Sequence, residues 1–369
     1  MTNTILYDSF DFANKCNKFL IENTCKSAIL LASESFVNAY PDMSEQLHAI
    51  DFPIIGGVFP KLIYNNQLVD SAVVIIALNE KFNTKLFSLA TNSKNCFDDI
   101  KHEYEKYYAK TQSVFVFVDA FAQNKSAFIN CLYNFFGSEI AYFGGGTGSL
   151  SNAAMPSIIS NQGINSNAAI IATVDFEIST SIKHGWKPLT ESMKITKTDN
   201  NKVVSLNWEP AFELYKEVCV KHAHISFDEH SFFDIAKSYP FGKTTFDQEF
   251  IIRDPYAVEG SNILFFDSIV EGEYICIMHA DKDGLLDSAN IAVETLQHNC
   301  NFEIENIFVI DCISRVLFMQ DGFIDELNIL SKKNTILGAL SIGEIVSDKN
   351  NYLEIFNKSI GLATWKKNF

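Results

Sequence analysis

The chain has 369 residues, 47% of them hydrophobic and 20% charged, which is ordinary globular composition and more than one core usually supports. Twenty-nine basic against 45 acidic side chains leave a formal charge of −16 and a pI near 4.9, a field that repels nucleic acid and anionic membrane surfaces. Eight cysteines without a Cys-x-x-Cys pair read as reduced, mostly buried thiols, and 32 Phe imply cores rich in aromatic rings.

In chain order, residues 1–26 read as an amphipathic helical lead-in, without the basic segment and apolar run of a secretory signal. Strands are expected at 27–33, at 52–59 with a glycine pair, at 68–79 and at 85–91, then a surface helix at 98–108. The run Val114 to Ala120 is an apolar strand ending in Asp119. A helix over Lys125 to Phe136 follows, then a strand rich in glycine, Ala141 to Gly148, which contains Gly144 and Gly145. Residues 167–180 read as one long strand, and 194–208 as a hairpin turning at Asp199-Asn200-Asn201. Pro210 suits the first turn of a helix ending near Ala223, and a domain boundary is placed here, giving units 27–205 and 206–365. Beyond it come helices at 231–240 and 284–298, a strand ending at Asp311, a helix at 322–330 and final strands at 337–347 and 352–364. No apolar run approaches the ~20 residues of a spanning helix, so a cytoplasmic protein without membrane insertion is expected.

The order strand–acid, helix, strand–glycine follows Asp119 and recurs after Asp311. The expected fold is therefore mixed α/β (α+β): two related domains, each with a mixed sheet and packed helices, with Asp119 and Asp311 at equivalent strand ends.

The candidate site residues stand where apolar strands end. Asp311, Cys312, Ser314 and Arg315 close one such strand, Arg253 another, and Glu344 follows a third. A buried unpaired ion costs several kcal/mol, so these charges either pair with each other or enclose a charged ligand; an Arg fork suits a carboxylate or phosphate. In HGWKP, His184 and Trp186 offer a titratable ring and a flat apolar wall, and Asn357 adds an amide. Gly144 and Gly145 permit close backbone approach, either to a ligand or to a neighbouring sheet. The segment GGGTGSLSNAAMP lacks the Lys-Ser/Thr of a phosphate loop. No nucleophile–base signature emerges, so no catalytic residue is assigned and an enzyme is not the favoured reading; Cys312 or Asp311 chemistry stays open as an alternative. No metal set is indicated.

Taken together, YFGGGTG at 142–148, HGWKP at 184–188, VSLNWEPAFELYK at 204–216, DCISRVLF at 311–318, GEI at 343–345 and the asparagine segment around Asn357 resemble the FIST family, with its paired FIST-N and FIST-C domains. The resemblance implies a cytoplasmic sensory protein of bacterial-type two-component signalling. It would bind a small molecule, an amino acid or other carboxylate, and pass the signal to a partner such as a histidine kinase. It also implies an alternative, a haem-binding nitric-oxide sensor; the axial ligand would then be His184 or His279.

Overall fold

The computed structural model describes residues 3–7, 11–90, 95–151, 155–224, 226–227, 229–245, 250–267, 269–347 and 352–366. The architecture is mixed α/β, as composition and pattern predict, and its strand order repeats three times.

The first unit contains β1 (Asn3–Tyr7), α1 (Phe12–Glu22), β2 (Ser27–Ser33), α2 (Glu34–Ala39), α3 (Met43–Leu47), β3 (Ile54–Phe59), β4 (Lys61–Tyr64), β5 (Gln67–Val69) and β6 (Val73–Leu78). The second contains β7 (Asn83–Ser88), α4 (Cys96–Tyr104), β8 (Ser113–Asp119), α5 (Lys125–Phe136), β9 (Ala141–Thr147), β10 (Ile158–Ser160), β11 (Gly163–Asn165) and β12 (Ala168–Val174). The third opens with β13 (Ile178–Lys183) and is then interrupted by a long insertion. That insertion carries β14 (Lys187–Pro188), β15 (Met193–Asp199), β16 (Lys202–Leu206), β17 (Glu209–Pro210), α6 (Ala211–Ala223), α7 (Phe232–Ala236), β18 (Phe241–Thr244), β19 (Phe250–Arg253), β20 (Pro255–Glu259), β21 (Asn262–Phe265), β22 (Tyr274–His279) and α8 (Lys282–Asn299). The third unit resumes with β23 (Asn306–Cys312), α9 (Ile313–Met319), α10 (Phe323–Ser331), β24 (Thr335–Ser341), β25 (Glu344–Ser347) and β26 (Ile360–Trp365).

Each unit pairs two parallel strands joined by a helical crossover: β2 with β3, β8 with β9, β23 with β24. On the side of the first strand lie two antiparallel neighbours, β6 and β1, β12 and β7, β26 and β13. The other side is filled by a strand from a different unit. β10 pairs with β3, β25 with β9, and β4 with β24, so the three units exchange strands in a ring. A glycine recurs at one register position, Gly56 opposite Leu30, Gly144 opposite Val116 and Gly338 opposite Val309. At each, a Cβ would land on the facing carbonyl oxygen, so only glycine lets the strands close.

The inner faces of the three sheets meet in one core, where Phe59 of the first sheet packs on Phe117 of the second and Phe143 of the second packs on Phe308 of the third. The outer faces carry helices: α1 to α3 on the first sheet, α4 and α5 on the second, α8 to α10 on the third. A separate core lies under the sheet of the insertion.

Several expectations change. Residues 3–7, inside the expected helical lead-in, pair with β6 as a strand, and among the described residues of that segment the helix is 12–22. The expected strand 68–79 splits into β5 and β6, and the strand at 167–180 divides into β12 and β13, which belong to different sheets. Residues 337–347 break at Gly343, φ +100°, so that β24 and β25 also enter different sheets. Period-2 alternation cannot reveal such a transfer, because the side-chain pattern continues across the bend. Asp119 and Asp311 are not equivalent. Counted from the shared glycine register, Asp119 matches Cys312, and one residue of offset puts Asp311 on the helix-covered face of its sheet.

Candidate functional site

The segment 354–359 brings four of the expected residues into one region. Its backbone is fixed by Leu353, Ile355 and a two-way hydrogen bond between Phe356 and Glu344. From this strap Glu354 reaches Arg253, Asn357 reaches Asp267, Lys358 reaches Asp254, and the Ser359 amide donates to Glu344.

Arg253 ends β19, where strand alternation turns it into a cleft between the insertion and the second unit. Its Nη1 donates to the carbonyls of Ile252 (3.2 Å) and Ile355 (3.0 Å), and its Nη2 to Glu354 at 2.5 Å. Its Nε is buried without a hydrogen-bond partner. Lys243 of β18 holds Glu354 at 2.9 Å and Glu273 at 3.5 Å. Asn357 donates to Asp267 at 2.5 Å, and the other oxygen of Asp267 faces the Lys125 ammonium at 3.1 Å outside hydrogen-bond alignment. Burial alone would raise the Asp267 carboxyl, but Lys125 and Arg253 outweigh it and hold the group below the ordinary carboxylate range. The cleft encloses about 210 Å³, with Tyr352, Ser126 and Asn130 on its rim.

Behind the cleft, Asp254 accepts from Ser314 at 2.9 Å and pairs with Lys358 at 3.3 Å, leaving Oδ1 without a hydrogen bond. Burial pushes the Asp254 carboxyl up despite Lys358. Lys358 is fully buried at φ +54°, a conformation that costs free energy for a residue with a Cβ. Its ammonium donates to the Lys237 carbonyl and lies 5.1 Å from the centre of the Trp186 ring, whose Nε1 donates to the Lys358 carbonyl. Trp186, expected as the apolar wall of a ligand pocket, is buried against Lys358 and Phe318 and is not among the residues that line the cleft.

Arg315 does not face the cleft. It is fully buried on the inner face of α9, bound to Glu326, and its donors also reach the His184 carbonyl (2.8 Å), the Leu285 carbonyl (3.2 Å) and Ser288 (3.4 Å). Asp311 lies 3.4 Å from its Nε, and neither carboxyl oxygen of Asp311 makes an aligned hydrogen bond. Burial, and then the neighbouring Glu326, push the Asp311 carboxyl well above the usual range. This is the tie between strand and helix, and every Arg315 donor that a ligand would need is engaged.

Glu344 accepts from Ser341 at 2.6 Å and from the Ser359 amide at 3.2 Å; its burial raises the carboxyl to about 8. Cys312 is buried against Glu344, and burial pushes its thiol well up, so it is protonated at neutral pH and a poor nucleophile. Gly144 and Gly145 lie inside β9, and the space a Cβ would need is taken by Val116, Ile310 and Gly343. Of the two readings for these glycines, close sheet packing is the one realised.

His184 is half-buried. Its Nδ1 accepts from the Trp186 amide at 3.0 Å, which places the proton of the neutral ring on Nε2. Burial, with Arg315, lowers its pKa to about 4. His279 lies elsewhere, with Nδ1 3.3 Å from the Ser238 carbonyl, Tyr239 stacked at 5.1 Å and His222 at 4.7 Å. Among the described residues, no group of three His, Cys, Asp or Glu side chains is placed to hold a metal ion, and no helix is long and apolar enough to cross a membrane.

Sequence reasoning missed Lys125, Lys243, Asp254, Asp267, Glu354 and Lys358. Two of these had a signal, since Asp254 follows Arg253 and Lys358 follows Asn357 in segments already singled out.

Comparison with known proteins matches residues 27–209 to the FIST N domain and 211–347 to the FIST C domain. Over 148 residues the chain is 23% identical to an uncharacterized protein of Methanocaldococcus jannaschii. That match covers 38% of this chain and 28% of the length of that protein. FIST domains are associated with signal transduction and small-ligand sensing. With both domains spanning most of its length in order, the chain belongs to the FIST family.

Proposed function

We propose that the protein senses a small zwitterionic ligand, an amino acid or related carboxylate, in the cleft between the insertion and the second unit, and signals through a protein partner such as a histidine kinase. The observation that carries the reading is the unpartnered, buried Arg253 Nε in a cleft that also presents Lys243, Asp267 and Glu273. A buried donor without a partner costs about 1–3 kcal/mol, and a ligand carboxylate recovers it. Asp267 and Glu273, on the same cleft, suit an ammonium group. A volume of about 210 Å³ is below that of drug-sized pockets and restricts the ligand to a few heavy atoms. In this reading Arg253, Asp267 and Asn357 bind or orient the ligand, and the strap 354–359 carries its effect to Glu344 and Trp186.

A thermal-shift screen of amino acids and small carboxylates tests this, because a ligand that binds only the folded state raises the melting temperature. A saturable rise that is lost in Arg253→Gln supports the site. A rise of the same size in Arg253→Gln would place the ligand elsewhere.

The haem reading narrows to His279. His184 carries its proton on Nε2 and holds the Trp186 turn, whereas His279 donates from Nδ1 and leaves the Nε2 lone pair that iron needs. Haem titration of the wild type and His279→Ala decides it: no Soret band in the wild type ends this reading.

A further inference from the structure

Glu354 occupies the cleft in the way an external anion would. Its two oxygens are divided between Lys243 at 2.9 Å and Arg253 at 2.5 Å, which among the described residues is the one Arg253 hydrogen bond to a charged acceptor. Its side chain lines the cleft and is 18% exposed. We propose that Glu354 is a resident stand-in for the ligand carboxylate, and that an anionic ligand enters by displacing it from Lys243 and Arg253. The inference rests on the cleft being the ligand site.

Three observations support exchange over permanent pairing. First, charge balances in both states. The cleft matches Lys243 and Arg253 with Glu354 and Glu273, while Asp267 is matched by Lys125, so the carboxylate of an incoming ligand replaces that of Glu354 one for one. Second, the backbone need not move. Leu353 and Ile355 are buried on either side of Glu354, and Phe356 is bridged to Glu344, so the strap is fixed while the Glu354 side chain turns about its own bonds toward the exposed rim. Third, the arginine is incompletely used: Nε has no partner while Glu354 is bound through Nη2. A free carboxylate can take Nε and Nη2 together in the side-on fork that Glu354, held by its backbone, does not reach. An intramolecular competitor sets a threshold, since the ligand must outcompete a carboxylate already at high effective concentration. Such a threshold suits a sensor that responds only to abundant ligand.

The test uses acetate as the minimal carboxylate, titrated at constant ionic strength against the full chain and followed by melting temperature. Glu354→Gln keeps the size of the side chain and removes its charge, and Glu354→Asp keeps the charge but shortens the reach. The expected result is a midpoint for acetate about tenfold lower in Glu354→Gln, the order of one charge-assisted hydrogen bond released. Glu354→Asp should fall between that variant and the wild type, and Glu354→Gln combined with Arg253→Gln should respond to acetate no longer. Should Glu354→Gln fail to fold, Glu354→Asp alone decides, since a midpoint at the wild-type value overturns the proposal. Equal midpoints for wild type and Glu354→Gln, with the response lost in Arg253→Gln, would refute the stand-in and keep the site. No acetate response in the wild type or in either Glu354 variant would refute both.

Discussion

At the scale of single residues, the same chemistry serves two purposes depending on which face of a strand it leaves. Arg253 ends β19 and Arg315 lies in α9 just past the end of β23, yet Arg315 has both Nη atoms bound inside the protein while Arg253 keeps its Nε over. Removing Arg315 leaves Glu326 and Asp311 buried without a cation, so Arg315→Ala should lose roughly 3–5 kcal/mol in urea denaturation. Arg253→Gln, at the cleft, should lose less and change ligand response instead. If Arg315→Ala proved as stable as the wild type, the buried tie would be misjudged. Glu344 gives a pH test. Its carboxyl titrates near 8 when folded against an ordinary value of 4.5, because burial disfavours the anion. A raised carboxyl stabilises the fold fully below the unfolded value. Between pH 4.5 and 8 the unfolded chain ionises first, and stability falls. Glu344→Gln removes this loss. Its stability relative to the wild type should therefore rise from pH 5 to pH 8, by on the order of a few kcal/mol, in chemical denaturation at each pH. A flat difference across that range would contradict the assignment.

At the scale of elements, the sequence was most legible where an element is self-contained. The helix at Lys125 to Phe136 and the hairpin turning at Asn200, φ +56°, are found where the pattern puts them. The runs that cross between sheets were not legible, because Asp175-Phe176-Glu177 bends the chain while keeping a strand's alternation, and the bend at Gly343 lies inside one continuous strand-like run. The third copy of the repeat was also hidden. In the first unit the parallel strand ends in Ser33, without an acid, and only the glycine opposite Leu30 marks the equivalence. The cleft was half legible: an arginine at a strand end is visible in sequence, whereas its partners come from 125, 243, 267 and 354, which only the fold collects. The shared glycine makes a prediction. Gly56→Ala, Gly144→Ala and Gly338→Ala each drive a methyl into a facing carbonyl, so each should cost about 3 kcal/mol or more. A tolerated alanine at any of the three, measured by thermal unfolding, would show that the strands can open there.

At the scale of the whole molecule, the two family domains share sheets. The third sheet takes β4 and β13 from the first half and β23, β24 and β26 from the second, while β25 of the second half completes the sheet of β8 and β9. Strand exchange of this kind leaves unpaired edges and an exposed core face when either half is made alone. Residues 206–365 expressed alone should therefore lack a cooperative melting transition, and co-expression with 1–205 should restore one. Independent folding of that fragment would contradict the ring of exchanged strands. The same organisation gives the sensor its route. The strap 354–359 joins the cleft to Glu344 and to the strand exchanged with the second unit, so a change at Arg253 reaches the shared core through one short segment. Hydrogen exchange of the full chain, with and without an amino acid or carboxylate that raises its melting temperature, tests this most directly. The account predicts added protection at 250–257 and 352–358, with the start of α5, and little change at 141–147. Protection confined to the glycine strand and 337–341, with none at Arg253 or the strap, would contradict it.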